Sequence, residues 1–149
     1  MPYFTKQVDS SGKPIISAYV AVSTARRSAL TAAGRPVPDH LPILGLIDTG
    51  ASCTCVDPSV LQRLGIPATG SSSVNSATTG DYPATADQYD VSLLIPGSQG
   101  SPSLVYHAIA VLESKLLDAH GFHALIGRDI LANCLLTYDG KSGLFIIAY

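Results

Sequence analysis

Short apolar or alternating segments, separated by frequent Gly and Pro, make up most of this chain. Segments of this kind, rich in β-branched residues and bounded by turn-forming residues, are typical of strands. The pattern therefore predicts a mostly β protein. Its expected strands are residues 14–22, 42–47, 87–95 and 104–112, a short apolar run at 124–126, and a C-terminal hairpin of 135–138 and 144–148. Residues 42–47 and 104–112 are apolar enough to predict buried strands.

Two other segments predict short helices. Residues 57–65 begin with Asp and Pro and end with Gly, the residue types favoured at the N-cap, first turn and C-terminal end of a helix. Residues 128–133 predict one or two further helical turns. Residues 23–39 predict a surface excursion with a brief helical stretch at 25–33. The charged and Pro residues that favour this interpretation are Arg26, Arg27, Arg35, Pro36 and Pro38.

Residues 69–85 contain almost no large apolar side chain. A segment of this composition cannot contribute to a core and is typical of an exposed hairpin or mobile loop. Because such loops often carry function, we expect residues 69–85 to have a role in it.

Composition narrows the possibilities further. A chain of 149 residues has the common size of one domain, so we expect a single domain over residues 1–149. With 46% hydrophobic and 13% charged residues, the chain is too apolar for disorder, and its scarce surface charge suggests that a partner covers part of it. A net charge of −2 offers no basic surface for a phosphate backbone, which disfavours nucleic-acid binding.

The compartment is predicted from the termini and the cysteines. No secretory signal peptide is recognisable in the first residues, and no apolar run is long enough to cross a membrane, so we expect no membrane partner. Three cysteines cannot pair completely, which fits a reducing compartment. We therefore expect a cytoplasmic protein.

One motif points to chemistry. In the segment LIDTGAS, Asp48 directly follows an apolar strand, where an unpaired carboxylate is costly to ionise. Gly50 would let the backbone turn sharply, and the hydroxyl of Thr49 could bond to a neighbouring copy of the same loop. A given tripeptide such as Asp-Thr-Gly occurs by chance in only about 3% of chains this long. A second apolar strand followed by glycine, ALIGRD, lies about eighty residues later, ending at Asp129.

The pairing of LIDTGAS with ALIGRDIL, separated by a polar segment, resembles the retropepsin-like aspartic proteases, the single-domain family that includes the retroviral enzymes. The resemblance covers residues 41–149. It implies a closed, mostly β barrel with one or two short helices that acts as a homodimer. In this family Asp48 would be the catalytic carboxylate, Thr49 would interlock with its copy in the partner, Gly50 would shape the loop, and residues 74–82 would form a flap over substrate.

The resemblance also implies a reaction. Two Asp48 carboxylates, one from each identical chain, would share a proton and activate water for hydrolysis of a peptide bond, with no metal and no cofactor. The partners would be an identical chain and a peptide or protein substrate. The residues expected to contact substrate are Ala51, Ser52, Ala77, Thr78, Thr79, Gly80, Leu125 and Ile126.

Departures from the viral pattern leave an alternative function open. Ser52 stands where the viral enzymes usually carry Asp, which places the chain closer to cellular and bacterial members. The segment expected to form the flap lacks the viral run of Gly and Ile. The alternative is a catalytically silent retropepsin-like module that dimerises or binds peptides.

Other residues allow two interpretations each. Asp129 could be a second carboxylate, but it more simply caps the helix that follows it. Cys53 and Cys55 could be a redox or metal pair, although we expect small buried hydrophobes because no second ligand pair lies at zinc spacing. His120 and His123 could ligate a metal if helical; Gly121 weakens that helix, so we expect a solvated loop.

Overall fold

The computed structural model describes residues 1–75, 84–98 and 100–149. Within these residues the chain folds into strands and a few short helices. The strands are β1 (Tyr3–Gln7), β2 (Ile15–Val22), β3 (Leu41–Ile47), β4 (Cys55–Val56), β5 (Gly70–Val74), β6 (Ala84–Ile95), β7 (Leu104–Glu113), β8 (Ala124–Ile126), β9 (Leu135–Asp139) and β10 (Leu144–Ala148). The helices are α1 (Thr24–Ala32), α2 (Pro58–Leu64), α3 (Leu117–His120) and α4 (Arg128–Leu131).

Six of the strands close into a barrel. They pair in the order β2-β3-β8-β4-β7-β6, and β6 returns to β2 through pairs that run from Tyr19↔Leu94 to Val22↔Val91. β5 extends the sheet by pairing with β6. Closure leaves the barrel strands without a free edge, and the inward side chains of alternate positions form its core, as Ile16, Ala18 and Val20 do on β2.

A second, three-stranded sheet of order β1-β10-β9 packs against the barrel. Its inner face contributes Phe4, Phe145 and Ile147 to the same buried cluster that fills the barrel. The Phe4 and Phe145 rings meet edge to face, with centroids 6.3 Å apart, a favourable geometry for two aromatic rings. The C-terminal hairpin is therefore joined to the core by aromatic packing and to the N-terminus by strand pairing.

The mostly β architecture and the strands of the sequence analysis are confirmed, with small shifts at their ends. The helix at residues 57–65 is confirmed as α2: Asp57 caps its N-terminus, and Gly65 ends it in the left-handed conformation with φ of 61°. The surface excursion contains α1, which begins at Thr24. None of the side chains of α1 is buried.

The predicted burial of two strands is only half right. β3 alternates, with Leu41, Ile43 and Ile47 buried and Leu44 exposed, because one of its faces lies outside the barrel. β7 is fully buried only at Val111 and Leu112. Both strands carry apolar side chains on their outer faces, and this continuous apolar pattern predicted burial along their whole length.

Several elements lie outside the prediction. β1, β4 and α3 are short segments whose structure depends on distant partners rather than on a local pattern. Residues 70–74, within the segment expected to be an exposed hairpin, form β5 and pair antiparallel with the start of β6. The predicted substrate residues Ala77, Thr78, Thr79 and Gly80 lie outside the described residues. In the described part of the chain, no helix has the length and apolar character needed to cross a membrane.

Candidate active site

The site forms where two neighbouring strands end. β3 and β8 run parallel, with pairs that include Leu46↔Leu125 and Ile47↔Ile126. Because parallel strands end at the same edge of the sheet, the segment after β3 and the segment after β8 emerge together. The N–H of Asp48 donates to the carbonyl of Ile126 at 3.0 Å, which continues the pairing one residue beyond β3. The two motifs of the sequence are therefore direct neighbours in space.

Asp48 begins a tight turn that holds its own carboxylate. The N–H of Gly50 donates to Asp48 Oδ1 at 2.8 Å, and the N–H of Ala51 donates to the Asp48 carbonyl at 3.3 Å. A Cβ at Gly50 would lie 3.1 Å from that carboxylate oxygen, so glycine leaves the carboxylate its space. Asp48 is half-buried, whereas Thr49 and Gly50 are exposed at the tip of the turn.

Arg128 fastens this turn to α4. Its Nη1 donates to the carbonyl of Thr49 at 2.9 Å and to that of Gly50 at 3.4 Å, and its backbone N–H donates to the carbonyl of Ala51 at 2.9 Å. A guanidinium has fixed donor directions, so these bonds define the position of the turn relative to the helix.

A second anchor lies behind the turn. The carboxylate of Asp129 accepts the backbone N–H and the hydroxyl of Thr54, each at 2.8 Å, and also the N–H of Ile130 at 2.9 Å. The prediction that Asp129 caps α4 is wrong: the N-cap is Gly127, and no side chain makes a capping bond there. Asp129 is the second residue of α4 rather than the residue before it, and Thr54, seventy-five residues away, supplies two of its three hydrogen bonds.

Gly127 makes the close approach of these segments possible. A Cβ at this position would lie 2.5 Å from the carbonyl carbon and oxygen of Cys53 and 2.9 Å from the N of Thr54, all backbone atoms. Its N–H donates to the Thr54 hydroxyl at 3.2 Å. The φ of Gly127 is −87°, so its need for glycine comes from this contact rather than from backbone strain.

A cavity of about 370 Å³ opens beside the Asp48 carboxylate. Its walls come from the Asp48 turn, from the segment leading into β4, from the end of β5 and from Leu125 on β8. The lining residues are Asp48, Gly50, Ala51, Ser52, Cys53, Cys55, Val74, Asn75, Ser114 and Leu125. A partly apolar cleft with a carboxylate in its wall has the properties of a ligand-binding site.

Comparison with known proteins agrees with this geometry. A family model described as aspartyl protease matches residues 37–130, which include both motifs. The chain belongs to the aspartyl protease family. No curated protein matches it in sequence.

The fold of this aspartyl protease family member is similar to that of a retropepsin-like aspartic protease from Rickettsia conorii, whose crystal structure is known. The two chains are 19% identical and superpose with a TM-score of 0.62, over 99% of this chain and 90% of the rickettsial one. The resemblance to retropepsin-like proteases is therefore confirmed, and so is the retropepsin-like barrel.

The structure brings several of the expected site residues of this family member together. Asp48, Gly50, Ala51, Ser52 and Leu125 line the cavity. Thr49 lies on the exposed turn with its carbonyl bound to Arg128. Ile126 points the other way and is fully buried in the barrel core.

The cavity also includes Ser114, which the sequence analysis did not assign to it, and Asn75, from the start of the segment expected to form the flap. Cys53 and Cys55 are not the small buried hydrophobes expected, since both are half-buried and line the cavity as free thiols. Burial and the adjacent Cys53 raise the pKa of the Cys55 thiol to about 12. The alternation of positions 53 and 55 around Thr54 was a signal that could have placed both on the cleft side.

The two histidines near α3 have separate environments. His120 ends α3 and stacks on Phe122, with centroids 5.5 Å apart, and it is exposed. His123 is half-buried, and its Nδ1 accepts the N–H of Leu44 at 3.1 Å. The expected solvated loop is therefore a helical turn followed by a residue docked on β3. Within the described ranges, no group of three His, Cys, Asp or Glu side chains could hold a metal ion.

Proposed function

We propose that this protein is an aspartic endopeptidase that cleaves peptide bonds as a homodimer, with one Asp48 from each chain in a single active site. The observation that carries the proposal is the Asp48 turn, whose carboxylate accepts the Gly50 N–H and faces a cavity of about 370 Å³. Membership in the aspartyl protease family and the retropepsin-like fold support the same reaction.

The need for a second chain follows from the chemistry. Hydrolysis by carboxylates requires one group that holds a proton and one that accepts a proton from water. The other carboxylate of the two motifs, Asp129, is occupied by the N–H and the hydroxyl of Thr54. A two-fold axis beside the exposed turn would bring two Asp48 carboxylates together and would let the two Thr49 hydroxyls meet.

In that arrangement the two Asp48 carboxyl groups share one proton, because two carboxyl groups about 3 Å apart cannot both be ionised. The ionised carboxylate removes a proton from a water molecule as its oxygen attacks the peptide carbonyl. The protonated carboxylate donates its proton to the carbonyl oxygen. A proton then passes to the departing amine as the C–N bond breaks, and the dyad returns to its singly protonated state.

The substrate is a peptide or protein whose side chains fit a largely apolar cleft. Ala51, Cys55, Val74 and Leu125 supply apolar wall, and Ser52 and Asn75 supply polar groups for the peptide backbone. We therefore expect cleavage between bulky apolar residues.

The enzyme is proposed to act as one domain over residues 1–149 in the cytoplasm, a reducing compartment that suits its three free thiols.

The decisive experiment compares Asp48→Asn with the wild-type protein on a broad peptide library between pH 4 and pH 7. Loss of an essential catalytic group lowers kcat by about three orders of magnitude or more, so we expect turnover to disappear. Asp39→Asn, an exposed carboxylate in the excursion before β3, is the matched control and should keep full activity.

Cleavage by Asp48→Asn at the wild-type rate would contradict the proposal. Peptide binding without cleavage by the wild-type protein would replace it with the alternative function, a silent peptide-binding or dimerisation module. Both outcomes are distinguished by mass spectrometry of the products together with a binding measurement on the same peptides.

A further inference from the structure

Two thiols line the proposed cleft, and the hydrolytic mechanism uses neither. Cys53 and Cys55 share the cavity wall with Asp48 and Leu125. Both are half-buried and free, so they are partly reachable from the cavity. Any group attached to a thiol at this place would occupy space that the substrate needs.

The backbone that carries these thiols is held on its opposite side. Thr54, between them, is fully buried, and its N–H and hydroxyl both donate to Asp129. Gly127 packs directly against the carbonyl of Cys53. With Thr54 fixed behind the wall, its two neighbours are directed toward the cavity. Cys53 lies in the bend before β4, whereas Cys55 is within β4, paired on both sides with Leu112 and Leu125.

We propose that Cys53 is a site of reversible thiol–disulfide exchange, at which a low-molecular-weight disulfide such as glutathione disulfide closes the cleft. In the exchange, the Cys53 thiolate attacks one sulfur of the disulfide, the S–S bond of the reagent breaks, and one thiolate leaves. The product is a mixed disulfide on Cys53. A free thiol reverses the reaction and restores the cleft. The effect on catalysis rests on the proposed peptidase function, whereas the modification itself does not.

The choice of Cys53 over Cys55 follows from their surroundings. The Sγ of Cys55 points to the carbonyl of Cys53 at 3.8 Å, and its burial within a paired strand raises its pKa to about 12. Since the thiolate is the reactive form, the raised pKa and the pairing of β4 both disfavour reaction at Cys55.

The same features disfavour an internal disulfide between the two cysteines. Such a bond requires two Cβ atoms directed at each other, with Cα atoms within about 6.8 Å. The clamp on Thr54 and the pairing of β4 resist the backbone shift that this would take. Cys55 is also held within a paired strand with its Sγ directed at the carbonyl of Cys53, which disfavours its attack on the mixed disulfide, so the adduct should persist until an external thiol removes it.

A glutathionyl group is a tripeptide, and the cavity beside Asp48 measures about 370 Å³. The adduct would therefore fill the volume in which a substrate segment binds. We expect modification to block peptide binding rather than to alter the Asp48 carboxylate.

The test treats the full-length protein with glutathione disulfide, maps the adduct by peptide mass spectrometry, and measures peptidase activity before and after dithiothreitol. We expect the adduct on Cys53, an activity loss of about tenfold or more, and recovery on reduction. Cys53→Ala should lose the adduct and the sensitivity. Cys134→Ala, which removes the thiol outside the cavity, is the matched control and should behave like the wild-type protein.

Each of the other possible results contradicts one part of the proposal: the site of modification, closure of the cleft, or the peptidase function. An adduct mapped to Cys55 or Cys134, an internal disulfide, or no adduct at all contradicts the assignment of Cys53. A Cys53 adduct with unchanged activity contradicts closure of the cleft. A protein that takes up the adduct on Cys53 but cleaves no peptide before or after reduction contradicts the proposed peptidase function and leaves the modification site standing.

Discussion

Gly127 and Arg128 position the Asp48 turn without contributing to the chemistry themselves. Arg128 binds the carbonyls of the turn, and Gly127 lets the β8 end approach the backbone of Cys53 and Thr54. Proposed catalysis by two carboxylates depends on placement within fractions of an ångström, so these contacts matter as much as the carboxylate. A side chain at position 127 would separate the two motifs.

Gly127→Ala therefore tests this packing. The new Cβ would lie 2.5 Å from backbone atoms of Cys53, and a backbone clash cannot be relieved by a rotamer change. We expect the free energy of unfolding to fall by about 3 kcal/mol or more, at or above the usual cost of overpacking a core. Urea denaturation followed by circular dichroism measures the change.

Gly70→Ala is the control for this substitution. A Cβ at Gly70, the first residue of β5, meets no atom within 4 Å. We expect a change of about 0.5 kcal/mol or less. Equal stability of the wild-type protein and Gly127→Ala would contradict the close packing of position 127 against the backbone of Cys53.

Residues whose role is local could be predicted from the sequence, and residues whose role depends on a distant partner could not. Asp48 and Gly50 form a turn within three positions, so the Asp-Thr-Gly motif is enough to predict this turn. Asp129 binds Thr54 across seventy-five positions, so its local context suggested only a helix cap. Cys53 and Cys55 were predicted to be buried core residues. Their place on the cavity wall depends on the anchoring of Thr54 by the distant Asp129, which the local sequence does not show.

At the scale of elements, Asp57 joins α2 to α3. Its carboxylate accepts the N–H of Ser59 at 3.0 Å within α2, and the N–H groups of Leu116 and Leu117 at 2.8 and 2.9 Å from the start of α3. The hydroxyl of Ser59 adds a bond of 2.6 Å. Burial alone would raise the pKa of Asp57, but the bonds from Leu117, Ser59 and Leu116 outweigh it and lower the pKa to about 2.

This carboxylate predicts an acid-dependent loss of stability. Since the pKa is about 2 in the folded state and 3.8 ordinarily, Asp57 stabilises the fold fully above about pH 4. That contribution, of the order of 2 kcal/mol, is lost as the pH falls toward 2. Asp57→Asn should lower the free energy of unfolding by about this amount at pH 7, and the difference from wild type should shrink steadily below pH 4.

Urea titrations from pH 7 to pH 2 measure the effect, with the exposed Asp39→Asn as control. The control should follow the wild-type curve. If the difference in the free energy of unfolding between wild type and Asp57→Asn stayed constant down to pH 2, the ionised carboxylate would not be the group that joins the two helices.

Elements with a strong local pattern were predictable, and those formed by long-range contacts were not. α2 has its cap, its Pro and its terminal Gly in sequence order, and it was predicted within one residue. α3 is a single turn whose first N–H groups are bound by Asp57, sixty positions earlier. β1 becomes a strand because it pairs with β10 at the other end of the chain.

At the scale of the whole molecule, the scarcity of charge has a structural counterpart. On the outer face of the β1-β10-β9 sheet, Tyr3 and Leu135 flank Ala148 in register, and Ile146 lies two positions along β10. Tyr3, Leu135 and Ile146 are 41%, 61% and 38% exposed. An apolar sheet face of this kind favours association. Together with a proposed active site that needs two copies of Asp48, it supports a homodimer as the working unit.

Mixed dimers test this directly. Wild-type and Asp48→Asn chains are unfolded together, refolded at a constant total concentration, and assayed across a series of ratios. If every active site needs two Asp48 carboxylates, only wild-type pairs cleave, and random pairing at equal amounts leaves about a quarter of the full activity. If each chain works alone, half remains. Mixtures of wild type with Asp39→Asn should keep full activity at every ratio, which controls for refolding losses. A linear decline with the fraction of Asp48→Asn would contradict the shared site, because a dyad built from two chains requires the square of the wild-type fraction.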